Sequence, residues 1–447
     1  MTGLARARRE AYFGLHRVRG GQLGSEYRML REQDRRGVDG REVQRAALAD
    51  LFDHCRASVP YYGPLLGARE AEWRRDPEAV LRTLPLLTKD IIRARFDDLK
   101  AHDVAARGVY ATTSGGSTGE PIRLLQDRRY WDRAVATQLL HGAWAGRELG
   151  ELEANVWGSE RDILEGGNGL MMRVANALTN KRYLNAFQMT PEQMRTFLGR
   201  LNEWKPRLTA AYASAIYELA RFARNEGIAV EPQNCVVTTS GTLYDHMRET
   251  IAEVFGCPVL NRYGSREVGD IAAECRACSG LHVFPWTNYV EILDADGEAV
   301  APGEEGEIVV TSLHNRVMPL VRYRIGDRGV LGADAGCPCG RRWQRLERVS
   351  GRTVDVFKRR DGGLVDGEYF THLLYYRDWV QTFQVIQTDH EEIQFKVVPA
   401  GEAPAHELEE IERGARAAMG DCRVTFSFVD AIAPSASGKY RYTISEL

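Results

Sequence analysis

Apolar residues at three- and four-residue spacing predict helix early in the chain. Leu48, Leu51, Phe52 and Cys55 share one helical face before a break at Val59-Pro60-Tyr61-Tyr62. The pattern stays largely helical from Arg41 to Lys100, and Thr88 is placed to cap the helix that follows it. Between Val109 and Gly329 the period changes. Short β-branched runs such as Cys235–Thr239 and Val259-Leu260 alternate with helical segments such as Asp245–Phe255, which predicts an α/β core. Tyr289–Leu293 and Glu307–Thr311 flank the turn-rich Asp294-Ala295-Asp296-Gly297, as in an antiparallel excursion. Beyond Gly351-Arg352, strands over Val380–Ile386, Ile393–Val398 and Val424–Phe428 and a helix over Ala405–Met419 predict a small α+β unit. The expected division is one domain over residues 1–350 and a second over 351–447.

A chain of 447 residues with 44% hydrophobic content buries a large core and exceeds the length at which one core divides. Lys and Arg total 59 against 62 for Asp and Glu, a formal charge of −3. Such a balance offers no global field for nucleic acid or an anionic membrane, so neither partner is expected. The N-terminal stretch is interrupted by Arg6, Arg8, Arg9, Arg17 and Arg19, without the apolar core of a signal peptide, and no later segment reads as a membrane span. A cytoplasmic location is the expectation. Four of the eight cysteines form close pairs, Cys275/Cys278 and Cys337/Cys339, with His282 between them. Four thiolates, or three with one imidazole, match the closed shell of structural Zn²⁺; unligated reduced thiols are the other reading.

The densest chemical signal is Thr112-Thr113-Ser114-Gly115-Gly116-Ser117-Thr118-Gly119-Glu120-Pro121. Glycines let the backbone aim several N–H groups at one anion, and the hydroxyls donate further hydrogen bonds to phosphate oxygens. No Lys-Ser/Thr follows, so this is not a Walker loop. A flexible linker has the same composition. This segment, however, lies between Tyr110 and the apolar run Ile122–Leu125, inside a folded region.

Three further stretches follow: Asn261-Arg262-Tyr263-Gly264-Ser265-Arg266-Glu267-Val268-Gly269, Tyr323-Arg324-Ile325-Gly326-Asp327 and Ser435-Ala436-Ser437-Gly438-Lys439. In this order and spacing the sequence resembles the acyl-adenylate-forming superfamily, in its phenylacetate-CoA ligase-like branch. The likeness runs from Thr112 to Lys439, and Val59–Tyr62 and Leu84–Arg93 extend it upstream. It implies an α/β fold with a large N-terminal adenylate-forming domain of mixed sheets and helices, plus a small mobile C-terminal α+β domain. The implied activity is ATP-dependent adenylation of a small, aromatic carboxylic acid, then transfer to a thiol, that of coenzyme A. A carrier-protein thiol, an amine or another activated anion are alternatives that ATP motifs do not separate. A zinc-stabilised nucleotide-binding protein without turnover is a third reading, and a homodimer stays open.

By the same resemblance, Ser114, Gly115, Gly116, Ser117, Thr118, Gly119, Ser240, Gly241, Tyr263, Gly264, Ser265, Asp327 and Arg352 contact ATP or AMP, with Asp327 on the ribose hydroxyls. Glu267 supplies a carboxylate to Mg²⁺. Lys439 is the expected catalytic residue: a mobile ammonium that stabilises the attack of one anion on another. It would enter by rotation about Gly351–Asp355. Tyr212, Ala213, Ser214, His141 and Trp144 are the expected acid pocket, and aromatic walls there suit a flat acid. The metal candidates are Cys275, Cys278, His282, Cys337 and Cys339. Two places depart from the family pattern. Pro121 is followed by Ile122-Arg123 where many members have lysine, and Arg352-Thr353-Val354-Asp355 lacks the usual adjacent acidic pair.

Overall fold

The computed structural model describes residues 2–113, 122–157, 169–185, 191–333, 336–352, 356–360, 364–366, 369–370, 373–374, 377–432 and 441–447. Contacts divide them into two compact units, one ending at Ser350 and one beginning at Gly351.

The first unit opens with helices α1 (Gly3–Val18), α2 (Leu23–Arg36), α3 (Gly40–Ser58), α4 (Gly63–Leu66), α5 (Glu70–Arg75), α6 (Pro77–Thr83) and α7 (Lys89–Ala94). Their starts follow from side-chain capping: Thr88 accepts from the Ile91 N–H, Asp76 from Ala79 and Asp39 from Arg41. A hairpin of β1 (Val109–Thr113) and β2 (Arg123–Asp127) brackets the expected phosphate cradle. The cradle itself, residues 114–121, lies outside the described residues. Asp127 then caps α8 (Arg128–Trp144), accepting from the Tyr130 N–H at 2.7 Å.

Next come β3 (Glu153–Trp157), α9 (Gly169–Thr179), β4 (Lys181–Asn185), α10 (Pro191–Trp204), β5 (Leu208–Tyr212), α11 (Ala213–Asn225), β6 (Val236–Thr239), α12 (Asp245–Phe255) and β7 (Val259–Ser265). Strands β4, β3, β5, β6 and β7 run parallel, in that spatial order. The sheet continues through β8 (Gly269–Cys275), β9 (Cys278–Val283), β10 (Asn288–Leu293), β11 (Glu305–Ser312), β12 (Tyr323–Leu331) and β13 (Arg345–Arg352). Its full order is β10-β11-β12-β13-β9-β8-β7-β6-β5-β3-β4. Strand β7 is the switch, parallel to β6 on one side and antiparallel to β8 on the other.

Two buried clusters hold the helices to these strands. One packs Leu48, Phe52 and Trp73 against Val283, Ile308 and Tyr323; the other packs Tyr12, Phe13 and Tyr27 against Leu140 and Trp343. Arg322, buried and left-handed at φ 53°, joins the segment before α7 to the sheet. It donates to the carbonyls of Arg82 and Leu84 and pairs with buried Glu291 at 3.0 Å.

The second unit holds the hairpin β14 (Val356–Lys358) and β15 (Leu364–Asp366), then β16 (Val380–Asp389), β17 (Glu392–Pro399), α13 (Ala405–Met419), β18 (Arg423–Phe428) and β19 (Thr443–Ser445). The last four strands lie in the order β18-β17-β16-β19. Helix α13 buries Ile411, Ala415 and Met419, a four-residue repeat that lays one apolar stripe inward. No described helix of the chain is long and apolar enough to cross a membrane.

Candidate functional site

Two of the sequence motifs meet in the first unit. The Tyr263 hydroxyl donates to Asp327 Oδ2 at 2.8 Å, and the Tyr323 hydroxyl lies 3.5 Å from Glu267 Oε1. The motifs sit on β7 and β12, which β8, β9 and β13 separate. At about 4.8 Å per strand, a flat sheet would hold them roughly 19 Å apart. The antiparallel half therefore curls on itself, and the curl brings Glu267 and Asp327 to one place.

Glu267 and Asp327 are both largely buried, 6% and 8% exposed. The arginines around Asp327 are committed elsewhere: Arg322 to Glu291, Arg324 to Glu307 and Arg328 to Glu305. The Glu267 loop is held from behind by Gln126 of β2, whose amide donates to the carbonyls of Arg266 (2.9 Å) and Glu267 (3.3 Å). Gly264 sits at a register shift in β7, where a Cβ would come within 2.7 Å of the Gly269 carbonyl oxygen, so only glycine fits.

The C-terminal ends of the parallel strands form an adjoining edge. In open α/β sheets ligands bind at such an edge, beside the point where strand order reverses. Here β3 ends at Trp157 and β5 at Tyr212, with ring centroids 4.6 Å apart. Tyr212 is extended, and α11 starts directly after it with no side-chain cap. Ser240, just past β6, is left-handed at φ 56°, a costly conformation for a residue with a side chain, and Gly241 follows.

Cys275, His282, Cys337 and Cys339 converge on a single point, their ligand atoms all within 4.8 Å of one another. Cys275 Sγ lies 3.6 Å from Cys337 Sγ, and Cys339 Sγ lies 3.5 Å from His282 Nε2. Tetrahedral Zn²⁺, with bonds of about 2.3 Å to sulfur and 2.0–2.1 Å to nitrogen, would separate two sulfurs by about 3.8 Å and sulfur from nitrogen by about 3.5 Å. The residues fit that ion. Burial, with help from the Arg341 and Arg345 charges, pushes the His282 imidazole down to about 4, so it is neutral and can ligate. The fifth candidate, Cys278, pairs with Cys275 in the β8/β9 hairpin; its side chain is outside the described residues.

His141 and Trp144 belong to this cluster's surroundings rather than to the Trp157/Tyr212 edge. His141, 1% exposed, hydrogen-bonds the Glu274 carbonyl at 3.1 Å. Trp144 meets the His282 ring edge-on, donates to Asp34 and lies under the Arg341 guanidinium, 3.8 Å from its ring centre. The expectation of an acid pocket there came from position in the resemblance, whereas in the structure this end of α8 lies against β8 and the cysteine/histidine cluster. Of the other expected pocket residues, Tyr212 and Ala213 stand at the strand ends and the Ser214 side chain is outside the described residues. So are Lys439 and Ser114–Gly119, and so is the side chain of Arg352, which closes β13.

Sequence reasoning missed Trp157, Gln126 and Tyr323 as neighbours of the site. Tyr323 stood at the head of a quoted motif, and Trp157 ends Glu153-Ala154-Asn155-Val156-Trp157, whose alternation could have been read as a strand.

Residues 357–446 match the family described as the CapK C-terminal domain. The chain is 23% identical over 417 residues to Protein CapK of Staphylococcus aureus, covering 91% of this chain and 89% of that one. It is 27% identical over 364 residues to a phenylacetate-coenzyme A ligase of Thermus thermophilus, covering 77% and 78%. Among solved structures, 2-hydroxyisobutyryl-CoA ligase in the postadenylation state with 2-HIB-AMP superposes with a TM-score of 0.68 at 19% identity, over 90% of this chain and 88% of that one. Fold and relatives point the same way: the chain shares its fold with acyl-adenylate-forming ligases and is similar in sequence to AMP-forming ligases of that kind. Among the relatives, phenylacetate-coenzyme A ligases recur, in agreement with the resemblance read from the sequence.

Proposed function

We propose that this protein joins a small carboxylic acid to ATP as an acyl-adenylate, releasing pyrophosphate, and then passes the acyl group to the thiol of coenzyme A. The observation that carries this reading is the meeting of Glu267 and Asp327, through Tyr323 and Tyr263, across the curled sheet. Asp327 suits the ribose diol because a carboxylate only accepts hydrogen bonds. Its position is set by the Tyr263 hydroxyl, and its arginine neighbours are engaged elsewhere. Glu267 is the residue to hold Mg²⁺, which when bound offsets the charge of the phosphates. The segment Ser114–Gly119 would hold those phosphates through backbone N–H groups and hydroxyls. Lys439 would stabilise the charge that builds as the acid's carboxylate oxygen bonds to the α-phosphorus and pyrophosphate departs.

The acid would lie at the strand ends, against the rings of Trp157 and Tyr212, and an aryl or arylacetic acid is the class that two neighbouring aromatic rings favour. The four-residue cysteine/histidine cluster would hold a structural zinc. The nucleotide motifs are equally compatible with a second reading, the same adenylation with a different acceptor such as a carrier-protein thiol.

The test is ATP–pyrophosphate exchange over a panel of aromatic, branched and short acids, followed by thioester formation. Exchange that is lost in Lys439→Ala, while acyl transfer from a preformed adenylate survives, is the expected result. Exchange at the unaltered rate in that variant removes the lysine assignment, and exchange with no acid in the panel removes the adenylation reading. Exchange without any coenzyme A thioester favours the second acceptor.

A further inference from the structure

The hydroxyl of Tyr130 has so far been given no role. Tyr130 stands in the first turn of α8, 3% exposed, and its Oη has no hydrogen-bond partner among the described residues. Buried hydroxyls are normally paired, and one left alone loses its hydration without return. The ring is fixed on two sides. It stacks on His314 at 4.7 Å and 9° between planes, and its own backbone N–H is tied to the Asp127 cap. The hydroxyl therefore cannot swing elsewhere.

Its fixed position is the back of the Glu267 loop. A Cβ on Gly269, which is left-handed at φ 72°, would come within 3.2 Å of Tyr130 Oη. Burial and then the Tyr110 phenol raise the Tyr130 phenol far above its ordinary range, and two carboxylates, Glu267 and Asp270, are near enough for their charges to add to this. Tyr130 thus carries its proton and can only be a donor to them. Asp270 faces the Arg262 guanidinium across an ion pair of 3.5 Å, although its Oδ2 makes no hydrogen bond among the described residues. Glu267 is held more loosely: its contact with the Tyr323 hydroxyl is 3.5 Å, long for an O–H donating to a carboxylate.

We infer that Tyr130 is a positioning residue for Glu267: its hydroxyl donates to the carboxylate when Glu267 engages the magnesium–nucleotide, fixing one oxygen and turning the other to the ion. A metal-binding carboxylate is ordinarily oriented by such a partner, and losing the partner weakens metal affinity about 10–100-fold. The inference rests on the reading of Glu267 as the magnesium carboxylate.

The test is Tyr130→Phe, which removes one oxygen and keeps the stack on His314. Binding of a non-cleavable α,β-methylene analogue of ATP is measured by calorimetry with and without Mg²⁺, alongside thermal melting of the free protein. The expected result is a dissociation constant about 10–100-fold higher with Mg²⁺, little change without it, and a melting temperature equal to or above that of the unaltered chain. Equal affinity with Mg²⁺, or the same loss with and without the metal, overturns the proposal. So does a lower melting temperature, because it would show the hydroxyl already bonded in the free protein. Glu267→Gln separates the two levels. If it also leaves magnesium-dependent binding intact, the assignment of Glu267 itself fails; if it weakens binding while Tyr130→Phe does not, only the role of Tyr130 falls.

Discussion

Replacing Arg322 by methionine removes a buried cation but keeps much of its apolar stem. Three acceptors lose a donor: the Glu291 carboxylate and the carbonyls of Arg82 and Leu84. Breaking one partner out of a buried ion pair costs about 3–5 kcal/mol. With unfolding entropy near 2.1 cal/mol/K per residue over roughly 350 residues, a loss of about 4 kcal/mol lowers the melting temperature of the first unit by about 5 °C. The loss should depend on pH. Burial already raises the Glu291 carboxyl, with Arg322 pulling the other way, and without the guanidinium the carboxyl rises further. A carboxyl whose folded pKa exceeds its unfolded value stabilises fully below the unfolded pKa, and that contribution disappears as pH rises through the folded pKa. Arg322→Met should therefore show mainly the pH-independent carbonyl loss, about 1–2 kcal/mol, at pH 5.5 and its largest deficit at pH 8, with a slope of at most about 1.4 kcal/mol per pH unit. Adding Glu291→Leu should recover most of the pH-dependent part and leave about 1–2 kcal/mol for the two carbonyls. Scanning calorimetry across that range is the assay. A single variant that melts within a degree of the unaltered chain, or a gap of equal size at both pH values, would refute the reasoning.

Two further outcomes follow from the buried groups. Metal analysis of the purified chain should find about one zinc per chain, and Cys275→Ser or Cys337→Ser should lose it together with several degrees of thermal stability; full stability without metal would contradict the fit of the cluster. His141 and His314 are both held near 3 by burial, the former helped mainly by the Arg262 charge and the latter by Arg133. Groups kept neutral in this way stabilise above their unfolded pKa of about 6.5, and acidification from pH 6.5 to 5.5 should cost about 1 kcal/mol for each. NMR of histidine-labelled protein should show both rings neutral down to pH 5; titration of either near 6.5 would defeat the assignment.

Much of the fold was legible because its signals are local. The helices Asp245–Phe255 and Ala405–Met419 and the cap at Thr88 were readable from periodicity and terminal residues alone. Strands β6 and β10 lie within a residue of the apolar runs that announced them. The candidate site was legible as separate pieces only. That Tyr263 would reach Asp327 depends on how far the sheet curls between β7 and β12, a sum of strand twists that no window of sequence contains. Cys337-Pro338-Cys339 has a spacing less standard for a knuckle, and its meeting with Cys275 and His282 is set by the pairing of β13 with β9. His141 and Trp144 were expected at the acid pocket from their position in the resemblance alone, and their place beside the cysteine/histidine cluster is set by long-range packing that position does not reveal.

Strand β7 has different partners along its two edges, and they divide its labour. Val236–Thr238 of β6 align with Val259–Asn261, while the run from Arg262 to Ser265 is matched by residues of β8. Slippage by one position would break both alignments at once, so this strand acts as a rigid seam. Changes confined to β3–β6 can therefore stop at Asn261 and leave the pairing of Arg262–Ser265 with β8 in register.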